Sequence, residues 1–167
     1  MNRRTLCLSF VTSVSGGLLI LASCAPKGST PAEKVAFSAK LLADALTAAV
    51  ASVKTITAIP QSDLVKIEDQ LIKVQVIAQQ IATAASTATG SLVTQLIGAA
   101  SLLLTIVTPL GLPPLVLAVF QAAVSFAPVL AADAGLSGAV LVQGPPPVFT
   151  PEKAQTILTA AAATRGV

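Results

Sequence analysis

A chain of 167 residues with 54% apolar and only 10% charged side chains cannot be a disordered, charge-rich segment, which needs the opposite balance. It contains no His, Trp or Tyr and five Phe, which removes imidazole catalysis, imidazole metal ligands and stacking platforms for bases; the core is expected to be Ala, Leu, Ile and Val. The formal charge of +3 includes Arg3 and Arg4 at the extreme N-terminus, and the remaining cations and anions nearly balance, so no basic patch is left for nucleic acid.

Residues 1–24 come first and are the most specific. Asn2-Arg3-Arg4 is a short positive segment, Leu6 to Leu21 is an apolar run loosened by Gly16-Gly17, and Leu21-Ala22-Ser23-Cys24 follows. That is the three-part layout of a secretory signal. The run of about 16 residues is short for a span of about 20. The segment resembles the lipobox-type signal peptide of bacterial lipoproteins, cut just before a cysteine whose thiol then carries a diacylglycerol. The resemblance implies a signal helix over 1–23, a mature chain starting at Cys24, and lipidation, palmitate included, at Cys24. Two acyl chains hold a protein on membrane lipid stably where one is marginal. Ala25, not Asp, follows the cysteine; by the same resemblance this implies the periplasmic face of the outer membrane rather than the inner membrane. The alternative is an uncleaved membrane helix that ends in Cys. Cys7 falls inside the apolar run, so the two cysteines do not read as a disulfide. Arg3-Arg4 lacks the rest of a twin-arginine signal.

Residues 24–29 read as a tether, with Pro, Gly and Ser around Lys27. A helix is predicted over 30–58: Thr30 as N-cap, Pro31 at the first position and Glu33 completing a capping box. Leu42, Leu46, Ala49, Val53 and Ile56 form one apolar stripe, Lys40 and Asp44 stand four apart, and Pro60 ends the helix. A second helix is predicted over 63–88, capped by Ser62 or Asp63, with Leu64, Ile67, Leu71, Val74, Ile77 and Ile81 on one face and Gly90 as its stop. A short connection around Pro60 makes the two an antiparallel hairpin.

From Val74 to Ala132 no residue is charged. Ser91 to Val107 and Leu115 to Ala132 are apolar stretches joined by Thr108-Pro109-Leu110-Gly111-Leu112-Pro113-Pro114, a turn-rich break; Pro128 is expected to kink or end the second. Two readings stand. The hairpin 91–132 is the buried half of a bundle, or it enters the bilayer. Segments of about 17 and 18 residues lie at the lower edge for spanning. Both carry polar dilution (Thr94, Gln95, Gln121, Ser125), and no Lys, Arg, Trp or Tyr anchors the ends. These features favour the buried bundle.

Residues 133–149 read as a Pro/Gly-containing linker, with a short strand conceivable at 139–142 and a polyproline spacer at Gly144-Pro145-Pro146-Pro147. Residues 150–167 read as a last helix, with Thr150-Pro151 at its start, Ala154, Ile157, Leu158 and Ala161 on its apolar face, and Arg165 near its end. No internal repeat is evident. The expected fold is all-α: a small antiparallel bundle of about four main helices in 30–132 plus a short C-terminal helix.

No chemistry stands beside Cys24. Glu68-Asp69 is the only adjacent carboxylate pair, and neighbours on a helix diverge by about 100°. No Gly-rich loop matches a phosphate or dinucleotide fingerprint, and no Lys has a partner Ser that stands out. No cofactor, no metal and no catalytic residue is expected, and the chain is read as a non-enzyme. The expected function is a lipid-anchored envelope lipoprotein acting as a structural or interaction module, with membrane lipid as one partner and a protein partner or self-association through its Ala-rich helices. The alternative is a membrane-active lipoprotein, a lysis accessory or pore-former, that inserts 91–132. Carriage of an apolar ligand in a bundle pocket lacks polar groups to orient one.

Overall fold

Prolines, β-branched runs and side-chain caps decide where the helices of this chain start and stop. The computed structural model describes residues 30–84, 89–136 and 146–164. The segment read as a signal, Cys24, the residues to Ser29 read as a tether, the short strand considered at 139–142 and Arg165 lie outside them.

The first helix, α1 (Pro31–Lys54), opens on the predicted capping box. The Glu33 N–H donates to the Thr30 hydroxyl at 3.3 Å, and the Thr30 N–H donates to the Glu33 carboxylate at 2.6 Å. It stops at Lys54, short of the expected 58. Thr55, Ile56 and Thr57 are consecutive β-branched residues that propagate a helix poorly. The chain tightens there, with Ile56 N–H on the Val53 carbonyl at 3.0 Å, and Pro60 disfavours helical backbone at Ile59.

The second helix, α2 (Gln61–Thr83), is capped by Pro60 and not by Ser62 or Asp63. Pro60 is extended, and its carbonyl accepts from the N–H groups of Asp63 (3.0 Å) and Leu64 (3.2 Å). Ser62 and Asp63 therefore sit inside the first turn, where the Asp63 charge suits the helix dipole. Instead of reaching 88, α2 ends at Thr83 with Ala84 extended. The Thr83 hydroxyl donates to the carbonyls of Gln79 and Gln80, both at 3.2 Å.

The uncharged region forms α3 (Thr89–Val107), a 3₁₀ turn (Thr108–Leu110), α4 (Pro114–Ser125) and α5 (Ala127–Asp133). Gly111 closes the 3₁₀ turn at φ 63°, a left-handed backbone suited to Gly. The break between α4 and α5 falls at Phe126, two residues before Pro128, because Pro128 has no N–H to give the preceding turn. It sits instead in the first turn of α5. Leu136 N–H reaches the Ala131 carbonyl at 2.8 Å and Gly135 N–H the Ala132 carbonyl at 3.0 Å, with Gly135 at φ 70°. This is a Schellman ending. The last helix, α6 (Pro151–Ala163), has Thr150 at its cap position, although the Thr150 side chain makes no cap hydrogen bond.

Helices α1 and α2 form the expected antiparallel hairpin. The contacts Lys54–Glu68 (2.6 Å) and Thr47–Gln75 (2.9 Å) are two turns apart along both helices, in opposite directions. Helix α3 packs back on α2, α4 packs on α1 and α3, and α6 lies against α1 and α4. The fold is an all-α helical bundle, and among the described residues there is no strand. The predicted stripes are its core: Leu42, Leu46, Ala49 and Val53 on α1, and Ile67, Leu71, Val74 and Ile81 on α2, are buried, with Ile56, Leu64 and Ile77 packed at their margin. One expectation fails. Phe120 and Phe126 are the largest fully buried side chains, so two of the five aromatics anchor a core that composition assigned to aliphatics alone.

Candidate functional site

Cys24, the one residue to which the sequence assigns chemistry, precedes Thr30 by six positions and lies outside the described residues. What the fold defines is the surroundings of the point where that segment joins. We call this the near end: α1 starts there, α2 and α5 finish there, and Glu33, Lys34 and Asp133 belong to its terminal turns. The Ser38 hydroxyl donates to the Asp133 carboxylate at 3.4 Å and ties α1 to α5. The far end carries the α1–α2 turn and the α3–α4 turn.

The carboxylates do not converge. Asp44 pairs with Lys40 at 2.5 Å, as its spacing predicted, Glu68 with Lys54 at 2.6 Å, and Asp63 with Lys66 at 3.0 Å. Of the adjacent pair, Glu68 bridges to α1 while Asp69 stands exposed on the outer face of α2. Among the described residues no three His, Cys, Asp or Glu side chains gather into a group suited to a metal ion.

Among the described residues, two surface grooves stand out. One, of about 580 Å³, runs between α1 and α2 over a floor of Ala43, Ala78 and Ala82, with Phe37, Lys40 and Gln75 on its walls. Its polar groups are engaged with one another: Lys40 with Asp44, and the Gln75 amide with the Thr47 hydroxyl at 2.9 Å. The other, of about 460 Å³, lies between the C-terminal part of α3, α4 and residues 146–148. Its Thr105 and Thr108 hydroxyls donate to the carbonyls of Ser101 (3.0 Å) and Leu104 (2.6 Å) within the helix. Neither groove offers converging titratable groups.

Two buried polar residues join elements in a way that sequence reasoning missed, although Ser125 counted there as polar dilution. Ser125 is 1% exposed, and its Oγ accepts the N–H groups of Val148 at 3.1 Å and Phe149 at 3.2 Å. The segment leading into α6 is thereby pinned to α4. Gln70 is buried and donates to the Ala99 carbonyl at 3.4 Å, linking α2 to α3. A hydroxyl in an otherwise apolar run was the only signal for Ser125, and the same signal applies to Ser101 and Thr105, whose side chains do nothing comparable.

Three helical segments are long and apolar enough to cross a membrane: Pro31–Lys54, Thr89–Leu110 and Pro114–Asp133. The second and third span 22 and 20 residues, longer than the stretches read from sequence, because α3 starts at Thr89 and runs into the 3₁₀ turn, and α4 and α5 together take in Pro114 and Asp133. The length criterion therefore no longer separates the buried from the inserted reading. No family model, curated protein or solved structure matches the chain.

Proposed function

We propose that this chain is a lipid-anchored lipoprotein of the bacterial cell envelope, held by an acylated Cys24 and acting as a non-catalytic structural or interaction module. One observation carries the reading: Leu21-Ala22-Ser23-Cys24 closes an apolar run that follows Asn2-Arg3-Arg4, the layout of a secretory signal with small residues at the cut. Two features are in keeping with it. A helix with a firm capping box has its N-cap, Thr30, six residues after Cys24, so Ala25 to Ser29 suffice as a tether. The groove between α1 and α2 has an alanine floor, a shape that admits a helix of a partner protein or of a second copy at close approach. Ala25 after the cysteine points to the periplasmic face of the outer membrane.

The test is metabolic labelling with palmitate of the native chain and of Cys24→Ser. Label is expected on the first and none on the second. A native chain that never takes up label, or a Cys24→Ser chain that keeps it, refutes the anchor.

A second reading is favoured by the lengths of Thr89–Leu110 and Pro114–Asp133: a membrane-active lipoprotein, such as a lysis accessory or pore-former, that inserts the hairpin 91–132. Residues 25–167 purified without detergent discriminate. A soluble, helical, monodisperse protein refutes insertion, whereas leakage of a dye from vesicles supports it.

A further inference from the structure

Helix α2 packs on α1 through one flank and on α3 through the other. Glu68 and Gln75 reach α1, and Gln70 reaches α3. At about 100° per residue, Val65, Ile72 and Val76 point away from both, within an arc of about 40°. All three are exposed. Asp69 and Lys73, also exposed, border this stripe on its α3 side. Their spacing of four lets a carboxylate and a lysine pair along one helix, yet they do not pair. The Lys73 ammonium donates to the Gln70 side-chain carbonyl at 3.3 Å. Asp69 has no ion pair or hydrogen bond among the described residues. We propose that this face joins two copies of the chain, α2 against α2, antiparallel about a two-fold axis passing between residues 70 and 71.

Charge complementarity selects the second copy as the occupant. A two-fold axis makes a surface meet itself, residue i touching j where j touches i. In this register Val65 stands level with Val76 of the other copy, and Asp69 lies within about 2 Å, along the helix, of Lys73 of the other copy. Each Ile72 lies within about 5 Å of its own counterpart along the same direction. The operation also keeps each flank on its own side. Asp69 and Lys73 share the α3 flank, so each Asp69 meets the Lys73 of the other copy, and two carboxylates alternate with two ammonium groups. Ser62 and Gln80 fall opposite one another on that flank too. One register therefore covers the apolar stripe and brings Asp69 the cation that its own helix withholds. A bilayer offers Asp69 no such partner, and an unpaired carboxylate is costly to take out of water. About three helical turns of contact make a small interface, in the class under about 1,200 Å², so the pair exchanges readily. The contact gives the interaction module a partner, a second copy of the chain, and does not rest on lipid at Cys24.

The test is cross-linking in bacterial cells with a short bis-maleimide, read as covalent dimer on a blot. The full chain, with Cys7→Ser and Cys24→Ser, receives one thiol at a time through Val65→Cys, Ile72→Cys, Val76→Cys or, as a control on the outer face of α3, Thr94→Cys. Dimer is expected from Ile72→Cys. Val65→Cys and Val76→Cys should each give little alone, because like positions stand about 16 Å apart along the helices, and severalfold more when the two chains are expressed together. Dimer from 65 alone and from 76 alone, as a parallel pair would give, overturns the proposal. So does equal dimer at 94, or none at 72. Charge is tested in the Ile72→Cys chain. Asp69→Lys and Lys73→Asp each set like charges against one another across the axis and should lower the yield severalfold. Expressing these two chains together should restore it, since every cation then faces an anion, and this recovery also shows that both variants fold. A yield indifferent to the two reversals, or lost in both and not recovered in the mixture, overturns the proposal. No variant has a thiol at position 24 to acylate, so the outcome is independent of the palmitate result.

Discussion

Removing one hydroxyl should loosen the C-terminal third of the molecule. Ser125 Oγ accepts from the backbone N–H groups of Val148 and Phe149, and Ser125→Ala leaves both donors without it. Each is worth about 1 kcal/mol, and nearer the upper part of the range when burial keeps water from replacing the partner. Both bonds are part-buried rather than fully buried, so the expected loss is about 2 kcal/mol for the pair. For a chain of this size about 1 kcal/mol moves the melting temperature by about 2–4 °C, which sets an expected drop of about 4–8 °C by circular dichroism. The loss should be local as well as global. Amide exchange at Val148 and Phe149 should accelerate more than at Leu42 or Leu46, whose protection depends on the α1 core. An unchanged melting temperature with unchanged exchange at 148 and 149 would refute the idea that this hydroxyl pins the segment.

Three further outcomes follow from packing and backbone. Leu158→Ala empties a fully buried site where α6 meets α1 and α4 and should cost about 2–5 kcal/mol in denaturant titration; a loss under about 1 kcal/mol would mean that α6 is not part of the cooperative unit. Gly135→Ala places a side chain at φ 70° with nothing crowding the added methyl, so strain alone should cost about 1–2 kcal/mol. Glu68→Gln removes a half-exposed ion pair with Lys54 and should change stability by less than about 1 kcal/mol, an effect that vanishes in high salt.

Much of the fold was legible in advance, and the reason is periodicity. Leu42, Leu46, Ala49 and Val53 recur at helical spacing, and every one is buried. Thr30, Pro31 and Glu33 announce a helix start with local chemistry alone. Helix ends were harder, because they depend on competition between neighbours. Pro60 took the cap from Ser62 and Asp63 through its carbonyl, which no residue-type preference for side-chain caps anticipates. The end of α2 at Thr83, with Ala84 extended, is likewise a backbone outcome that sequence spacing does not rank.

The candidate site divides along a similar line. The expectation at Cys24 rests on the chain around it alone, since a signal and its cut would be read in extended sequence before any fold exists. The turns of the bundle are different. Residues 55–62 and 108–115 are far apart in sequence and stand at the same end only because α1 with α2, and α3 with α4, turn there. Composition marked residues 74–132 as uncharged, yet it could not say which side chains face the core. Tertiary packing alone sent Leu112 inward and left Leu115 out, turned Phe120 and Phe126 into core anchors, and gave Ser125 two donors from a segment 23 and 24 residues away. A one-dimensional pattern sets helix and face through short-range periodicity; which distant groups become neighbours is decided by how the faces stack.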